Sequence, residues 1–393
     1  MKLAERMSRL GTETAFEVLG RARALEATGR EVVHLEIGEP DFDTPSNIIE
    51  AACRALHKGY THYGPSAGFP ELREAIAEDV SKSRGVKFNA NQVVVTPGGK
   101  PIMFFTILAL AGHGDEVIYP NPGFPIYESM INFAGAKPVP LRLAEEREFC
   151  VDVEELRSKV SPRTKMLIIN SPHNPCGSVL SAGDLKAIAE IAVQHDITVL
   201  SDEIYGRTLY DGEFNSITQF PGMPERTIIL DGFSKTYAMT GWRLGYGVMP
   251  ELLAAQVAKL MTNSNSCTAS FIQMAGIEAL KGPQEDSYKM VAAFKERRDA
   301  IVKGLNEIPG VHCLLPKGAF YVFPNVKEVV KRGKFANTKA FADWLLQEAG
   351  VAALSGTAFG EYGEGYLRFS YANSLENIHK ALGWVAQAVK KLG

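Results

Sequence analysis

The middle of the chain alternates short apolar runs with longer amphipathic stretches, and this alternation restricts the possible folds more than any other feature. Helix-like segments, such as Pro101–Ala111 and Ser181–His195, lie between several of the apolar runs. Strands alternating with helices predict an α/β fold in which a mostly parallel sheet is sandwiched by helices. The predicted buried strands are rich in Val and Ile and cover Val93–Thr96, Val117–Tyr119, Met166–Asn170, Ile197–Ser201 and Thr227–Asp231.

The pattern changes after about Cys267 and predicts a smaller α+β domain. A long helical stretch, Phe271–Leu305, is followed by a mixture of short strands and helices. We therefore predict a large domain over residues 45–285, and a small domain made of residues 1–44 together with 286–393. The strand-like and helical segments of the small domain are Ala319–Phe323, Thr338–Ala349, Leu367–Tyr371 and a closing helix through Trp384.

Composition excludes several classes of protein. The formal net charge is -3 over 393 residues, which argues against electrostatic binding of nucleic acid. The most apolar run, Ile102–Ala111, is too short to span a membrane, and Met1–Gly11 lacks the apolar core of a signal peptide. The five cysteines lie far apart and include no C-x-x-C pair, so we expect a cytoplasmic protein without a metal site.

Polar residues follow the predicted strands at the edge where ligands bind in open α/β sheets. A glycine turn, Gly98-Gly99-Lys100, follows the first strand, and an asparagine, Asn174, comes shortly after Met166–Asn170. An acidic residue with a tyrosine, Asp202 and Tyr205, and then Ser234-Lys235, follow the next two strands. These residues are therefore candidates for one shared site.

Each candidate also has an ordinary interpretation. The glycine turn before a helix suits an anion, or it is a plain tight turn, and Pro101 after Lys100 excludes a Walker A motif. Burial would lower the pKa of Lys235 and make its amine reactive, although a lone lysine is usually a surface residue. Asp202 would pair with a ring-nitrogen cation or would cap a helix, and Arg243 offers a fork suited to phosphate. An amine, phosphate donors and a carboxylate together meet the needs of pyridoxal phosphate.

Five motifs resemble the class I aminotransferases of pyridoxal-phosphate fold type I, and most closely the aspartate-aminotransferase-like members. The resemblance extends from about Glu13 to the C-terminus. The motifs are GEPDFDTP at residues 38–45, SPHNPCG at 171–177, SDEIY at 201–205, GFSKTYAMTGWRLGY at 232–246 and LRFSYA at 367–372.

The resemblance implies roles for most of the candidates. Lys235 is similar to the lysine that forms the internal aldimine and then moves the proton. Asp202 is similar to the carboxylate that keeps the pyridine nitrogen protonated. The implied donors to the ring oxygen are Tyr205 and Asn174, and those to the phosphate are Gly99, Lys100, Ser234 and Arg243.

The resemblance also implies contacts with the ring, the substrate and a second subunit. Phe124 stands where relatives often carry Trp or Tyr stacked on the ring, and its alternative is a plain core residue. Arg368 resembles the residue that binds the substrate α-carboxylate, with help from Gly38 and Asn174. Tyr63 resembles a tyrosine that reaches the cofactor phosphate of the partner subunit, which implies a homodimer with shared sites.

Some residues depart from the family pattern or leave the substrate open. Gly232 replaces a phosphate-binding serine of some relatives, and Cys176, which replaces a threonine, is interpreted as structural. The Gly-Gly-Lys turn resembles that of aspartate-specific relatives, which implies Lys100 as a candidate cation for the distal carboxylate of aspartate or glutamate; the alternative is that Lys100 contributes only its backbone amide to the phosphate. Glu13 would repel such a substrate and Phe16 would favour an apolar or aromatic one. We also expect cis peptide bonds at Asn121–Pro122 or Asn174–Pro175, or at both, as in the family.

The leading hypothesis is an aminotransferase that moves an amino group from an L-amino acid to a 2-oxo acid. The donor is aspartate or glutamate, or else an aromatic or aliphatic amino acid. A β-lyase or decarboxylase of the same fold would share Lys235, Asp202 and Arg368, so the motifs do not separate these reactions. A non-catalytic regulator would need an added DNA-binding module, for which the early start of the motifs leaves no room.

Overall fold

A computed structural model describes residues 1–392 and contains α-helices, β-strands and short 3-10 turns. The helices are α1 Ala15–Glu26, α2 Ser46–His57, α3 Pro70–Arg84, α4 Lys100–Leu110, α5 Ile126–Ala134, α6 Val153–Lys159, α7 Ala182–Gln194, α8 Glu251–Ser264, α9 Ser270–Lys281, α10 Glu285–Asn306, α11 Lys327–Arg332, α12 Thr338–Ala349 and α13 Leu375–Lys390. The strands are β1 Val33–His34, β2 Val93–Thr96, β3 Glu116–Asn121, β4 Lys137–Arg142, β5 Thr164–Asn170, β6 Thr198–Asp202, β7 Thr227–Gly232, β8 Gly245–Val248, β9 Tyr321–Val322, β10 Val351–Ala352, β11 Leu354–Ser355 and β12 Leu367–Ser370.

A seven-stranded sheet forms the centre of the molecule, in the order β2-β8-β7-β6-β5-β3-β4. All neighbours pair in parallel except β8, which runs antiparallel to both β2 and β7. All five strands predicted from the apolar runs lie in this sheet. The predicted α/β class with a mostly parallel sheet is confirmed.

Alternate residues of each strand face opposite layers of helices, which explains the near-continuous apolar runs in the sequence. In β2, Val94 packs in a cluster with Ile102 of α4 and Val257 of α8. Val93 and Val95 point to the other face and pack in a cluster that includes Leu72 of α3. The sheet is therefore buried on both sides, and only its edges and strand ends remain for a site.

Two smaller sheets lie with the C-terminal part of the chain. One is antiparallel with the order β11-β12-β9, and the other pairs β1 in parallel with β10. Arg21 of α1 also forms an ion pair of 2.6 Å with Asp343 of α12. The N-terminal segment is thus tied to the C-terminal segment, although the domain boundaries at residues 44 and 285 stay a prediction.

The long helical stretch predicted over Phe271–Leu305 is two helices, so that expectation is wrong in its continuity. α9 ends at Lys281 and α10 begins at Glu285. Pro283 lies between them, and proline lacks the N–H that a continuous helix would need there. No helix within residues 1–392 combines the length and apolar character required to cross a membrane.

Candidate active site

A cavity of about 550 Å³ lies at the carboxyl edge of the central sheet, where the ends of several parallel strands meet. It gathers all but one of the residues that the sequence singles out for the site. These are Gly38, Gly99, Lys100, Phe124, Asn174, Asp202, Tyr205, Ser234, Lys235, Arg243 and Arg368. Tyr63 does not line the cavity, and it is 88% exposed on the surface of the single chain.

Lys235 extends its amine into the cavity from the connection that follows β7. Its Nζ donates a hydrogen bond of 2.5 Å to the carbonyl oxygen of Gly38 and lies 5.8 Å from the centre of the Phe320 ring. Desolvation lowers the pKa of the Lys235 amine to about 8. The direction agrees with the lowered pKa expected from the sequence, and the neutral, nucleophilic amine is therefore more accessible near neutral pH than that of an exposed lysine.

Asp202, the last residue of β6, presents a buried carboxylate to the cavity. It is 5% exposed, and its Oδ2 accepts a hydrogen bond of 2.6 Å from the hydroxyl of Tyr127. Burial raises the pKa of Asp202 to about 6, although the Tyr127 hydroxyl acts in the opposite direction. Asp202 forms no ion pair with any cation in residues 1–392, so its charge is available to a cationic ligand.

Two asparagines extend this polar floor. Asn170 donates from Nδ2 to the carbonyl oxygen of Asp202 at 2.9 Å, and its Oδ1 accepts from the backbone N–H of Asn174 at 2.8 Å. The Oδ1 of Asn174 is buried and has no partner in the described part of the chain. The side-chain amide of Asn174 therefore has hydrogen-bonding capacity that other residues of the described chain do not use.

Three X-Pro peptide bonds shortly after the carboxyl ends of β3 and β5 are cis. Asn121–Pro122 and Asn174–Pro175 are both cis, as predicted. Ser171–Pro172 is also cis, and the sequence analysis does not predict it.

Tyr205 is held by a second tyrosine. Its hydroxyl lies 2.6 Å from the hydroxyl of Tyr321, and both side chains are buried. The backbone of Gly38 packs directly against Tyr321, and a Cβ at position 38 would lie only 2.1 Å from the Tyr321 hydroxyl oxygen. A glycine is therefore required there, and the wall of the cavity at residue 38 is bare backbone.

An anion-binding corner forms where the turn after β2 meets the connection before β8. The N-terminal backbone N–H groups of α4, around Gly99 and Lys100, open onto the cavity. Arg243 donates to the carbonyl oxygen of Thr240 at 2.8 Å and forms no ion pair within residues 1–392. Gly98 has a positive φ of 89°, and a Cβ there would lie 2.3 Å from Nη2 of Arg243. The corner therefore joins helix amides and a free guanidinium, a combination suited to phosphate.

The two departures from the family pattern have structural explanations. Gly232 lies in β7, where a Cβ would come within 3.0 Å of Gly245 Cα in β8, so a larger residue would need the strands to separate. Cys176 is buried outside the lining of the cavity, and burial raises the pKa of its thiol well above the usual range. The burial of Cys176 agrees with its structural interpretation, and the close contact at Gly232 gives a reason for the missing phosphate-binding hydroxyl there.

Arg368 lies in β12 and is 4% exposed at the opposite wall of the cavity. Its Nη2 donates to the carbonyl oxygen of Glu36, while its Nε has no partner in the described chain. The guanidinium carbon lies 4.6 Å from the centre of the Tyr321 ring. Burial lowers the pKa of Arg368. A buried guanidinium without a carboxylate partner is costly, and a bidentate anionic ligand would relieve that cost.

The mouth of the cavity carries an ion pair and two aromatic rings. Lys100 Nζ pairs with Glu13 Oε1 and lies 5.5 Å from the centre of the Phe124 ring. Phe16 also lines the cavity and is 65% exposed. The sequence analysis names Lys100 as a candidate cation for the substrate side chain and Glu13 as a carboxylate that would repel an acidic one, but it does not pair the two residues.

The sequence analysis assigns no role to several polar residues of the cavity, among them Asn170, Tyr127 and Tyr321. Asn170 is the last residue of a predicted strand, and a search of strand ends could have found it. Tyr127 lies in the first turn of α5 and Tyr321 in a two-residue strand. Neither tyrosine carries a local sequence signal, because only the tertiary fold brings them to Asp202 and Tyr205.

Comparisons with known proteins agree with this geometry. The profile of the family described as "Aminotransferase class I and II" matches residues 30–384. The chain is 43% identical to an aspartate aminotransferase of Pyrococcus horikoshii, with 99% of this chain and 97% of that protein covered. It is 39% identical to aromatic-amino-acid aminotransferase 2 of Thermococcus litoralis, over 100% of this chain and 99% of that protein. The structure of an aspartate aminotransferase from Thermus thermophilus with maleate superposes with a TM-score of 0.93 at 38% identity, covering 98% and 99% of the two chains.

The residues present fit pyridoxal phosphate. The fit rests on the buried carboxylate of Asp202 with no cationic partner in residues 1–392, the desolvated amine of Lys235 and the unpaired Arg243 beside a helix N-terminus. These groups are complementary to a pyridinium nitrogen, an aldehyde carbon and a phosphate. With the family match over most of its length, the chain belongs to the class I aminotransferases and is a pyridoxal-phosphate-dependent aminotransferase.

Proposed function

We propose that this aminotransferase takes its amino group from L-amino acids, with aspartate or glutamate among the donors, and gives it to 2-oxo acids through a site centred on Lys235. The observation that carries the proposal is that the desolvated amine of Lys235 and the guanidinium of Arg368 line the same cavity. Within residues 1–392, Arg368 forms no ion pair. Pyridoxal phosphate, when bound, supplies the electron sink for charge that develops at the substrate α-carbon. Lys235 would hold the cofactor and would then remove the α-proton through its Nζ.

Asp202 would hold the proton on the pyridine nitrogen. A buried carboxylate with no other cation stabilises a positive charge strongly, because little water screens the interaction. The hydrogen bond from Tyr127 fixes the orientation of this carboxylate. Tyr205 and the side-chain amide of Asn174 would donate to the ring oxygen, and Phe124 would pack against the ring.

The phosphate would bind at the corner made by the backbone of Gly99 and Lys100, the hydroxyl of Ser234 and the guanidinium of Arg243. Support comes from the N-terminus of α4 and from the absence of a carboxylate partner for Arg243 in residues 1–392. Oriented amides and a planar cation together bind a dianion through several donors.

Arg368 would bind the α-carboxylate of the substrate through a bidentate pair, and the bare backbone at Gly38 and the Asn174 amide would complete this contact. This orientation directs the α-carbon toward Lys235, whose Nζ already contacts the Gly38 carbonyl oxygen. The substrate side chain would then extend toward the mouth of the cavity, where Lys100 offers a cation to a distal carboxylate.

A homodimer with shared sites is also proposed. Tyr63 lies outside the cavity of its own chain, and its exposed ring is free to reach the phosphate site of a second copy. A cytoplasmic location is supported by five free cysteines, none of which forms a disulfide in the described residues.

The test is a half-reaction with a single amino acid and no 2-oxo acid. Aspartate or glutamate should convert all of the bound cofactor to its amine form, seen as loss of the long-wavelength absorbance, with one equivalent of 2-oxo acid released per site. Release of ammonia or carbon dioxide without loss of that absorbance would instead indicate a lyase or a decarboxylase.

A further inference from the structure

We propose that Arg84, the last residue of α3, is a positioning residue that sets the distance between Asp202 and Lys235 by joining the carboxyl ends of β6 and β7. Arg84 lies outside the lining of the cavity and acts through Glu203 and Asp231. The proposal rests on the aminotransferase site described above, and it assigns part of the geometry of that site to a buried group outside the cavity.

Arg84 is 2% exposed, and all three nitrogens of its guanidinium donate hydrogen bonds. Nε donates to Oε2 of Glu203 at 3.0 Å, and Nη2 donates to Oδ2 of Asp231 at 2.9 Å. Nη1 donates to Oγ of Ser83 at 2.8 Å. A single planar group therefore binds two carboxylates that come from neighbouring strands.

The two carboxylates belong to the strands that carry the reactive groups. Glu203 directly follows Asp202, the last residue of β6, and Asp231 lies in β7 four residues before Lys235. The two strands pair in parallel up to Asp202 and Leu230, and the Glu203 N–H donates one further hydrogen bond of 2.8 Å to the Leu230 carbonyl oxygen. At this end of the ladder the guanidinium adds a side-chain bridge between the two strands. The position of Asp202 relative to Lys235 therefore depends on that bridge.

Both carboxylates are also held by other donors, so the bridge has a fixed orientation. Oε1 of Glu203 accepts from the hydroxyls of Ser201 and Ser216 at 2.9 and 2.7 Å. Oδ1 of Asp231 accepts from the backbone N–H of Gly232 at 2.7 Å. All of these residues are buried, and little water is present to replace a lost contact.

Stability alone gives little reason to bury these three charges. Removing charges from water is costly, and apolar residues of similar volume are often equally stable or more stable. Desolvation opposes the charge of Arg84, but Glu203 and Asp231 outweigh it and raise the pKa of the guanidinium. The charged contacts are directional and fix distances between strands, which apolar contacts do less strictly. Catalysis needs such precision, because a displacement of about 1 Å at the reacting groups can lower a rate by about 10²-fold.

The experiment compares three variants of the cofactor-loaded protein. Arg84→Lys keeps the positive charge, but its shorter side chain ends in a single nitrogen and cannot bind both carboxylates at the same spacing. The second variant combines Arg84→Met with Glu203→Gln and Asp231→Asn, and it leaves no unpaired buried charge should the lysine variant fail to fold. The matched control is Arg298→Lys, because Arg298 is a buried arginine of α10 that pairs with Asp211 and does not line the cavity.

The measurements are the Tm, the maximal rate and half-saturating concentration of the half-reaction with aspartate, and the circular dichroism of the bound cofactor. The dichroism in the long-wavelength band reports the orientation of the ring in the protein. Both Arg84 variants should lower the maximal rate by about 10–100-fold and reduce the dichroic signal. The half-saturating concentration should change by less than about twofold, because Arg368 is untouched. Arg298→Lys should lower the Tm alone.

A normal rate and a normal dichroic signal in Arg84→Lys, with only the Tm reduced, would show that the cluster serves stability and would overturn the proposal. Equal losses of rate in Arg298→Lys, or failure of both Arg84 variants to fold, would overturn it as well. Failure of the proposed function is a separate result, since it would appear as no half-reaction in the unmodified protein. The dichroic comparison would then still test the role of Arg84.

Discussion

The floor and the rim of the cavity are built in different ways. The floor, taken together with the wall at Arg368, is buried, and its residues Asp202, Asn174 and Arg368 lie in strands or in the cis-proline loop beside them. The rim, made of Glu13, Phe16 and Lys100, is partly exposed and comes from the N-terminal segment and the start of α4. Desolvation controls the charges of the floor, whereas water and salt weaken those of the rim. Changes to the floor should therefore alter the reaction, and changes to the rim should alter the choice of substrate.

The largest effect is expected for Lys235→Ala. Loss of the proton-transfer group should reduce turnover by at least about 10²–10⁴-fold, while the phosphate corner and Asp202 still bind the cofactor. Steady-state rates and the cofactor content of the purified variant measure the two parts of this prediction. Borohydride reduction of the unmodified enzyme should attach the cofactor to Lys235, and labelling of a different lysine would contradict the assignment.

Asp202→Asn should have the next largest effect. The amide keeps the shape and the contact with Tyr127 but removes the charge, so the single-turnover rate should fall by about 10²–10³-fold. The Kd for the cofactor should change much less, because the phosphate corner is untouched. A near-normal single-turnover rate would refute the electrostatic role.

The same variant tests the raised pKa of Asp202 in the cofactor-free protein. An acid whose pKa is raised from 3.8 to about 6 by folding makes stability fall as pH rises between those values. The loss is about 3 kcal/mol at pH 7.5, and Asp202→Asn should avoid it. Between pH 4 and pH 7.5, the difference in Tm between the variant and the unmodified protein should increase by about 3 °C in favour of the variant. A constant difference would show that Asp202 titrates normally.

The smallest effect is expected at the rim, for Phe16→Ala. The KM for phenylalanine should rise about three- to tenfold, the scale of one aromatic contact, while kcat stays the same. The KM for aspartate, whose side chain would face Lys100, should move by less than about twofold. An equal rise in KM for phenylalanine and for aspartate would contradict the prediction that the rim controls the choice of substrate.

Much of the floor can be predicted from the sequence because its residues follow buried strands. Apolar runs mark those strands, and parallel strands end at a common edge, so the strand pattern by itself predicts that Asp202 and Lys235 lie close together. The raised pKa of Asp202 and the lowered pKa of Lys235 follow from the same burial. The roles assigned to these residues stay predictions until the variants are measured.

Other parts of the fold lack such a pattern. β4 contains Pro138 and Pro140 and lies at the edge of the sheet, where proline is tolerated but hides the strand from a propensity-based search. β8 contains Gly245 and Gly247, which are required by close contacts: a Cβ on Gly247 would lie 2.8 Å from Ile102. The glycines and prolines of these strands are explained by the position of each strand in the sheet and by its contacts with other elements. A short stretch of sequence does not reveal those contacts.

The residues of the rim can be predicted from the sequence, but their pairing cannot. The family resemblance points to Glu13, Phe16 and Lys100 as residues that meet the substrate, but Glu13 and Lys100 are 87 residues apart and only the fold shows that they pair. Tyr127 and Tyr321 escape prediction for the same reason. Tyr63 and the domain boundaries remain predictions, because they concern a second subunit and the division of the chain.

The antiparallel direction of β8 has a consequence for how the sequence can change in length. Because β8 runs back from the carboxyl edge, the single connection between β7 and β8, residues 233–244, carries both Lys235 and Arg243 to the same cavity. One insertion or deletion in this connection would shift the reactive amine and the phosphate cation relative to each other. The number of residues in the connection 233–244 is therefore expected to be fixed, since a change in its length would move Lys235 or Arg243 away from the cavity.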